Sequence, residues 1–126
     1  MLFSNSLHRE ENIMNREGCL EAGINYDTGV NRFAGNAEMF EKFLVKFPAD
    51  PTFPDLKSSI AGDDAEQAFR LAHTLKGVTG NLSMDELLKN LNPVVEALRG
   101  GDIASARELF PPVETSYNKV VKYING

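Results

Sequence analysis

The stretch DAEQAFRLAHTLKGVTGNL, residues 64–82, decides how this chain folds and where its chemistry sits. At about 100° per residue, its apolar side chains gather on one side of a helix. Ala68, Leu71, Leu75, Val78 and Leu82 share that side, with Ala72 and Thr79 at its margin. The opposite side carries Glu66, Phe69, Arg70, His73, Lys76, Gly77 and Gly80. One face therefore enters a core, and His73 points away from it. Asp63 and Glu66 have the D-x-x-E spacing of a capping box, so the helix is predicted to begin there and to run to about Gly80.

The flanking segments keep the helical period. Asn36 caps a stripe of Met39, Phe40, Phe43, Leu44 and Phe47 that ends before Pro48, and the spacing assigns Phe40, Phe43 and Phe47 to the core. Pro48, Pro51 and Pro54 predict a loop, followed by a short helix through Leu56 and Ile60 that Gly62 stops. Ser83 and Glu86 repeat the capping-box spacing ahead of Met84, Leu87, Leu88, Leu91, Val94, Val95 and Leu98. After Gly100 and Gly101, Asp102 caps a last stripe of Ile103, Ala106, Phe110, Val113, Tyr117, Val120 and Ile124. Pro93, Pro111 and Pro112 fall inside these last two stripes and predict kinks or breaks. No segment alternates convincingly with period two.

Short connections between amphipathic helices favour antiparallel neighbours. The expected fold is therefore all-α: an up-and-down four-helix bundle with additional short N-terminal helical segments. Residues 1–22 are expected to form a partly mobile arm, with Met14 as an alternative start, and residues 23–126 the bundle domain.

Composition narrows the function. A chain of 126 residues, 42% hydrophobic and 25% charged, makes one soluble domain with no room for a separate nucleotide-binding catalytic domain. Its net charge of −5 disfavours nucleic acid as a partner. No apolar run approaches the roughly 18 residues a membrane span needs, and Met1 to Glu11 do not read as a secretion signal, so the cytoplasm is expected. Cys19 alone makes no internal disulfide. His8 and His73 lie far apart with no spaced ligand cluster, so neither a metal nor a cofactor of its own is expected.

His73 is the chemical candidate. A neutral imidazole keeps one ring nitrogen free, and that nitrogen is a competent nucleophile. Gly77 and Gly80 follow on the same face, although each costs up to about 1 kcal/mol relative to alanine inside a helix. They either clear an approach to the imidazole for another protein or permit close helix packing within this one. Lys76 is placed to hold an anion carried by His73, or is an ordinary solvated lysine. Phe69, one turn before His73, is either an anchor for a partner or packed on the Phe40–Phe47 helix. Arg70 either meets a partner's acidic residues or is a plain surface charge.

Ala72-His73-Thr74-Leu75-Lys76-Gly77, followed by Gly80-Asn81-Leu82, resembles the signature of histidine-containing phosphotransfer (HPt) domains. The run from Gly23 and Ile24 through Gly29 and Arg32 to Gly35 and Asn36 is similar to that family's lead-in, and Leu98-Arg99-Gly100-Gly101-Asp102 to its turn into the last helix. The resemblance spans about residues 23–126. It departs from the family at Ser83 and Met84, where relatives often carry small residues, and at Pro93, Pro111 and Pro112.

The resemblance implies a phosphorelay intermediate without kinase or phosphatase activity of its own. His73 would accept a phosphoryl group from a receiver-domain aspartyl phosphate and pass it to another receiver. It further implies that Lys76 steadies the phosphoryl group and that Gly77 admits the receiver, while Phe69, Arg70 and Gly80 complete the docking surface. Response-regulator receivers and a hybrid histidine kinase are the expected partners, the receiver supplying Mg²⁺, and the protein itself is expected to be a monomer. The alternative is a helical interaction module that binds a receiver or kinase and carries no phosphoryl group.

Overall fold

A computed structural model describes residues 15–126; His8, Met14 and most of the expected arm lie outside them. The helices are α1 (Arg16–Glu21), α2 (Tyr26–Arg32), α3 (Ala37–Lys46), α4 (Thr52–Ala61), α5 (Ala65–Asn81), α6 (Asp85–Arg99) and α7 (Ile103–Asn125), with a 3-10 turn at Phe47–Ala49. Among the described residues there is no strand.

The fold is an all-α bundle. Helices α4, α5, α6 and α7 each pack on the next, and α4 also meets α7. Side-chain pairs fix their directions. Lys57 meets Glu114 while Asp63 meets Arg107 at 2.8 Å. Glu86 meets Lys119 at 3.0 Å while Asn90 donates to the Ser116 hydroxyl at 2.6 Å. Rising numbers on one helix face falling numbers on its neighbour, so these neighbours are antiparallel.

Three-residue joints make this possible, and the three are one motif. The middle residue is left-handed in each: Asp63 (φ 63°), Ser83 (φ 52°) and Gly101 (φ 76°). The next amide then returns to a carbonyl five residues back: Asp64 to Ser59 at 3.0 Å, Met84 to Thr79 at 2.9 Å, and Asp102 to Ala97 at 2.9 Å. Each joint closes one helix and positions the cap of the next.

This geometry moves two of the expected caps. Asp64, not Asp63, accepts the Gln67 amide at 3.1 Å. Ser83 is not a cap at all, because its left-handed backbone ends α5, and Met84 at the start of α6 offers no side-chain bond. The α1–α2 loop does that work. The Glu86 amide donates to the Gly23 carbonyl at 3.2 Å and the Asn25 amide to the Ser83 carbonyl at 2.9 Å. The Thr28 hydroxyl donates to Ser83 Oγ at 2.9 Å. Asn36 and Asp102 cap as expected, accepting the Met39 and Ser105 amides at 3.0 Å each. Hydrogen bonds from the Ser105 amide and hydroxyl hold the Asp102 carboxyl below its ordinary pKa.

The prolines interrupt less than the sequence predicts. Pro54 lies in the first turn of α4, where amides have no intrahelical partner, so the expected loop is partly helix. Helices α6 and α7 run unbroken through Pro93, Pro111 and Pro112. All three prolines are exposed. The carbonyls four residues before them belong to Lys89, Arg107 and Glu108, which are exposed too, so a carbonyl that loses its helical donor lies on a residue that water reaches.

The core runs from Cys19, Ala22 and Ile24 through Phe40, Leu44, Leu56, Leu75, Leu87, Leu91, Val95 and Val113 to Val120. Cys19 is 0% exposed, so the last residues of the expected arm belong to the packed body. Burial pushes the Cys19 thiol up, and likewise the Tyr123 hydroxyl to which it donates at 3.7 Å. Tyr26 donates to Glu41; partial burial, followed by that carboxylate, pushes its pKa up to about 12.

One expected core residue of α3, Phe43, lies outside it, together with Met39 of the same apolar stripe. Phe43 is 45% exposed and Met39 39%, while Phe40, Leu44 and Phe47 are buried. The packed seam of this helix is narrower than its apolar stripe.

Candidate functional site

Helix α5 presents the site. Its buried line is Ala68, Ala72, Leu75 and Thr79, so the core-facing direction is turned toward the residues expected at the margin, and Leu71 and Val78 are only half-buried. Burying Leu75 contributes about 1.5–3 kcal/mol. Thr79 satisfies its buried hydroxyl by donating to the Lys76 carbonyl at 3.1 Å. With that side anchored, His73 and Gly77 are exposed on the other, and Lys76 and Gly80 are half-buried on its flank.

The two glycines distinguish between their possible roles. A Cβ built on Gly77 or on Gly80 meets nothing within 4 Å. No neighbouring helix uses the space, so close packing within the bundle does not account for them. Alanine would fit and favour the helix by up to about 1 kcal/mol per position. The room they leave opens outward, one and two turns beyond His73.

The His73 ring is 5.9 Å from the Phe69 ring, centroid to centroid, with 29° between their planes. Phe69 packs against the core and is half-buried. Its other partner comes from the neighbouring helix: the Arg99 guanidinium carbon lies over it, 5.2 Å from the centroid. That contact contributes about 0.5–1 kcal/mol at an exposed position. Arg99 is the last residue of α6, and its Nε meets Glu96 at 3.3 Å. Phe69 thus joins His73 and Arg99, and among the described residues it forms no ring pair with a phenylalanine of α3.

Arg70 is exposed on the same face, but its guanidinium turns back along the helix to Glu66 at 3.0 Å and to Gln67. The Lys76 ammonium makes no ion pair among the described residues. Arg70, Lys76 and Arg99 give this face cations within a chain of net charge −5. Arg70 and Arg99 are each paired with a carboxylate, which leaves Lys76 as the cation of this face to meet an incoming acidic group.

Beyond Gly77, the last turn of α5 and its C-cap contribute Val78, Asn81 and Leu82 to an open, mostly apolar groove against Phe33, Phe43 and Phe47. Phe33 and Phe43 form a tilted pair with centroids 5.5 Å apart and 31° between their planes, and Lys46 lies 5.8 Å over Phe43. Neither this groove nor Arg99 follows from the sequence reading. The spacing of Phe43 fits a buried stripe, and Arg99 stands 26 residues after His73 with no local signal linking them.

A family model described as the Hpt domain matches residues 38–121, from the start of α3 to the last turns of α7. Comparison with curated proteins and with solved structures finds no match.

Proposed function

The chain belongs to the Hpt domain family, whose members are phosphotransfer modules of phosphorelay signalling, and on that premise we propose that it is a phosphorelay intermediate with His73 as phosphoryl acceptor and donor. The observation that carries this reading is the open space over Gly77 and Gly80 beside an exposed imidazole. A helix that gives up stability to keep one face clear does so for a visitor.

In the proposed step a neutral ring nitrogen of His73 attacks the phosphorus of a receiver's aspartyl phosphate. The nitrogen lone pair forms the N–P bond as the P–O bond to the aspartate breaks, and that electron pair leaves on the carboxylate. The ring is briefly a cation and then releases its N–H proton to water. Such transfers depend mainly on in-line positioning and charge stabilisation. Lys76 supplies a cation beside the phosphoryl oxygens, and the receiver brings the aspartate and its Mg²⁺. The receiver rests over Gly77 and Gly80, with Arg70 at one edge and the Phe33–Phe43 groove at the other. The reverse step passes the group to a second receiver. No helix of the described residues is long and apolar enough to cross a membrane.

The test is incubation with a radiolabelled, phosphorylated receiver. Acid-labile, alkali-stable label is expected on the parent protein and absent from His73→Gln; label persisting in the variant sinks the assignment.

A further inference from the structure

A catalytic histidine is usually oriented by a hydrogen bond to its second ring nitrogen. Here no described residue hydrogen-bonds the imidazole of His73, and its one ring contact among the described residues is Phe69. An exposed imidazole on a helix otherwise rotates freely about two side-chain torsions, whereas attack on phosphorus needs the nitrogen lone pair held close to the line of the breaking bond.

Taking His73 as the phosphoryl acceptor, we infer that Phe69, weighted by Arg99, is the platform that sets the plane of the His73 ring: a positioning residue for transfer, not an anchor for the partner. The two rings sit at i and i+4 of α5, with 29° between their planes. Phe69 is fixed from below by the core and from the side by Arg99 of α6, whose own guanidinium is held by Glu96. The rigid partner is thus the half-buried one and the reacting partner the exposed one. A stacking contact also fixes the ring without occupying either nitrogen. One stays free to attack and the other to shed its proton into water. The π face of Phe69 additionally tolerates the positive charge the imidazole carries while the N–P bond forms.

Platform and docking anchor separate experimentally when the phosphoryl donor is small. Phosphoramidate transfers its phosphoryl group to histidine with loss of ammonia and makes no protein interface. Phe69→Leu, which keeps apolar bulk without an aromatic plane, is expected to slow labelling by phosphoramidate roughly tenfold. With a phosphorylated receiver, kcat should fall by a similar factor and KM stay unchanged. Phe69→Tyr should restore both rates. Arg99→Gln should give a smaller loss that Arg99→Lys recovers. In the NMR spectrum of the parent, the His73 ring protons should show an upfield ring-current displacement that Phe69→Leu removes.

An unchanged phosphoramidate rate in Phe69→Leu with a raised receiver KM makes Phe69 an anchor and overturns the platform. A parent spectrum without the ring-current displacement overturns it as well, even where Phe69→Leu fails to fold. A parent that takes label from neither donor removes His73 as acceptor and the platform with it. A labelled parent with unmoved Phe69 variants removes the platform alone.

Discussion

Glycine does opposite jobs in two regions of this protein. In the N-terminal layer every helical or loop glycine up to Gly29 lies against another side chain. A Cβ on Gly29 would lie 2.4 Å from the Phe40 ring, one on Gly18 2.6 Å from Tyr123, and one on Gly23 2.5 Å from Glu86. On α5 a Cβ at Gly77 or Gly80 meets nothing. The first set lets α1 and α2 sit tightly on α3, α6 and α7. The second leaves a surface bare. The same residue type lets helices pack closely where the chain fills the space itself and keeps a surface bare where it does not.

The strongest way to break the comparison is Gly29→Ala. Overpacking against the buried Phe40 should cost about 1–3 kcal/mol in urea denaturation, with the transfer rate per folded molecule unchanged. A variant as stable as the parent would show that the N-terminal layer is loosely packed.

Gly77→Leu probes the other region. It is expected to lower kcat/KM for receiver-dependent transfer about tenfold, or roughly 1.4 kcal/mol, with no loss of stability. Equal transfer by variant and parent would mean that the receiver approaches from elsewhere.

Gly77→Ala sharpens the contrast by sign. It should raise stability by up to about 1 kcal/mol, the reverse of Gly29→Ala, and a loss in the same denaturation assay would show hidden packing on this face.

A last test is a pH dependence that Tyr26 gives to the N-terminal layer. The pKa of Tyr26 rises on folding from its ordinary value near 10 to about 12. The folded state therefore keeps a proton that the unfolded chain loses. The stability this contributes is complete below about pH 10 and is lost as pH rises toward 12. Tyr26→Phe should flatten that decline in an alkaline titration followed by circular dichroism; an unchanged slope would assign the decline to other groups such as Tyr123.

Much of this was legible in the residues. The helices follow from apolar spacings of three and four, and Asn36 and Asp102 cap as their chemistry dictates. The exposure of His73 follows from the wheel even though the core direction turned toward Ala72 and Thr79, because a rotation of that size does not carry His73 around the helix. The caps at the other joints were harder to read. Asp63 and Asp64 are adjacent and chemically equal, and only the left-handed turn decides which one caps. Ser83 has the composition of a cap and the conformation of a helix end.

By itself the sequence determined that the stripes of α3, α5, α6 and α7 are helical, that they bundle, and which face of α5 carries an exposed histidine, a lysine and two glycines. Those properties repeat within a turn or two of one chain segment, so local spacing encodes them. Only the tertiary structure decided that Phe43 stays at the surface, that Gly23 caps α6, that Arg99 lies over Phe69, and that the space beside Gly77 is empty. Each of these depends on which helix arrives alongside and at what height, and the antiparallel joints fix that over separations that local periodicity does not reach.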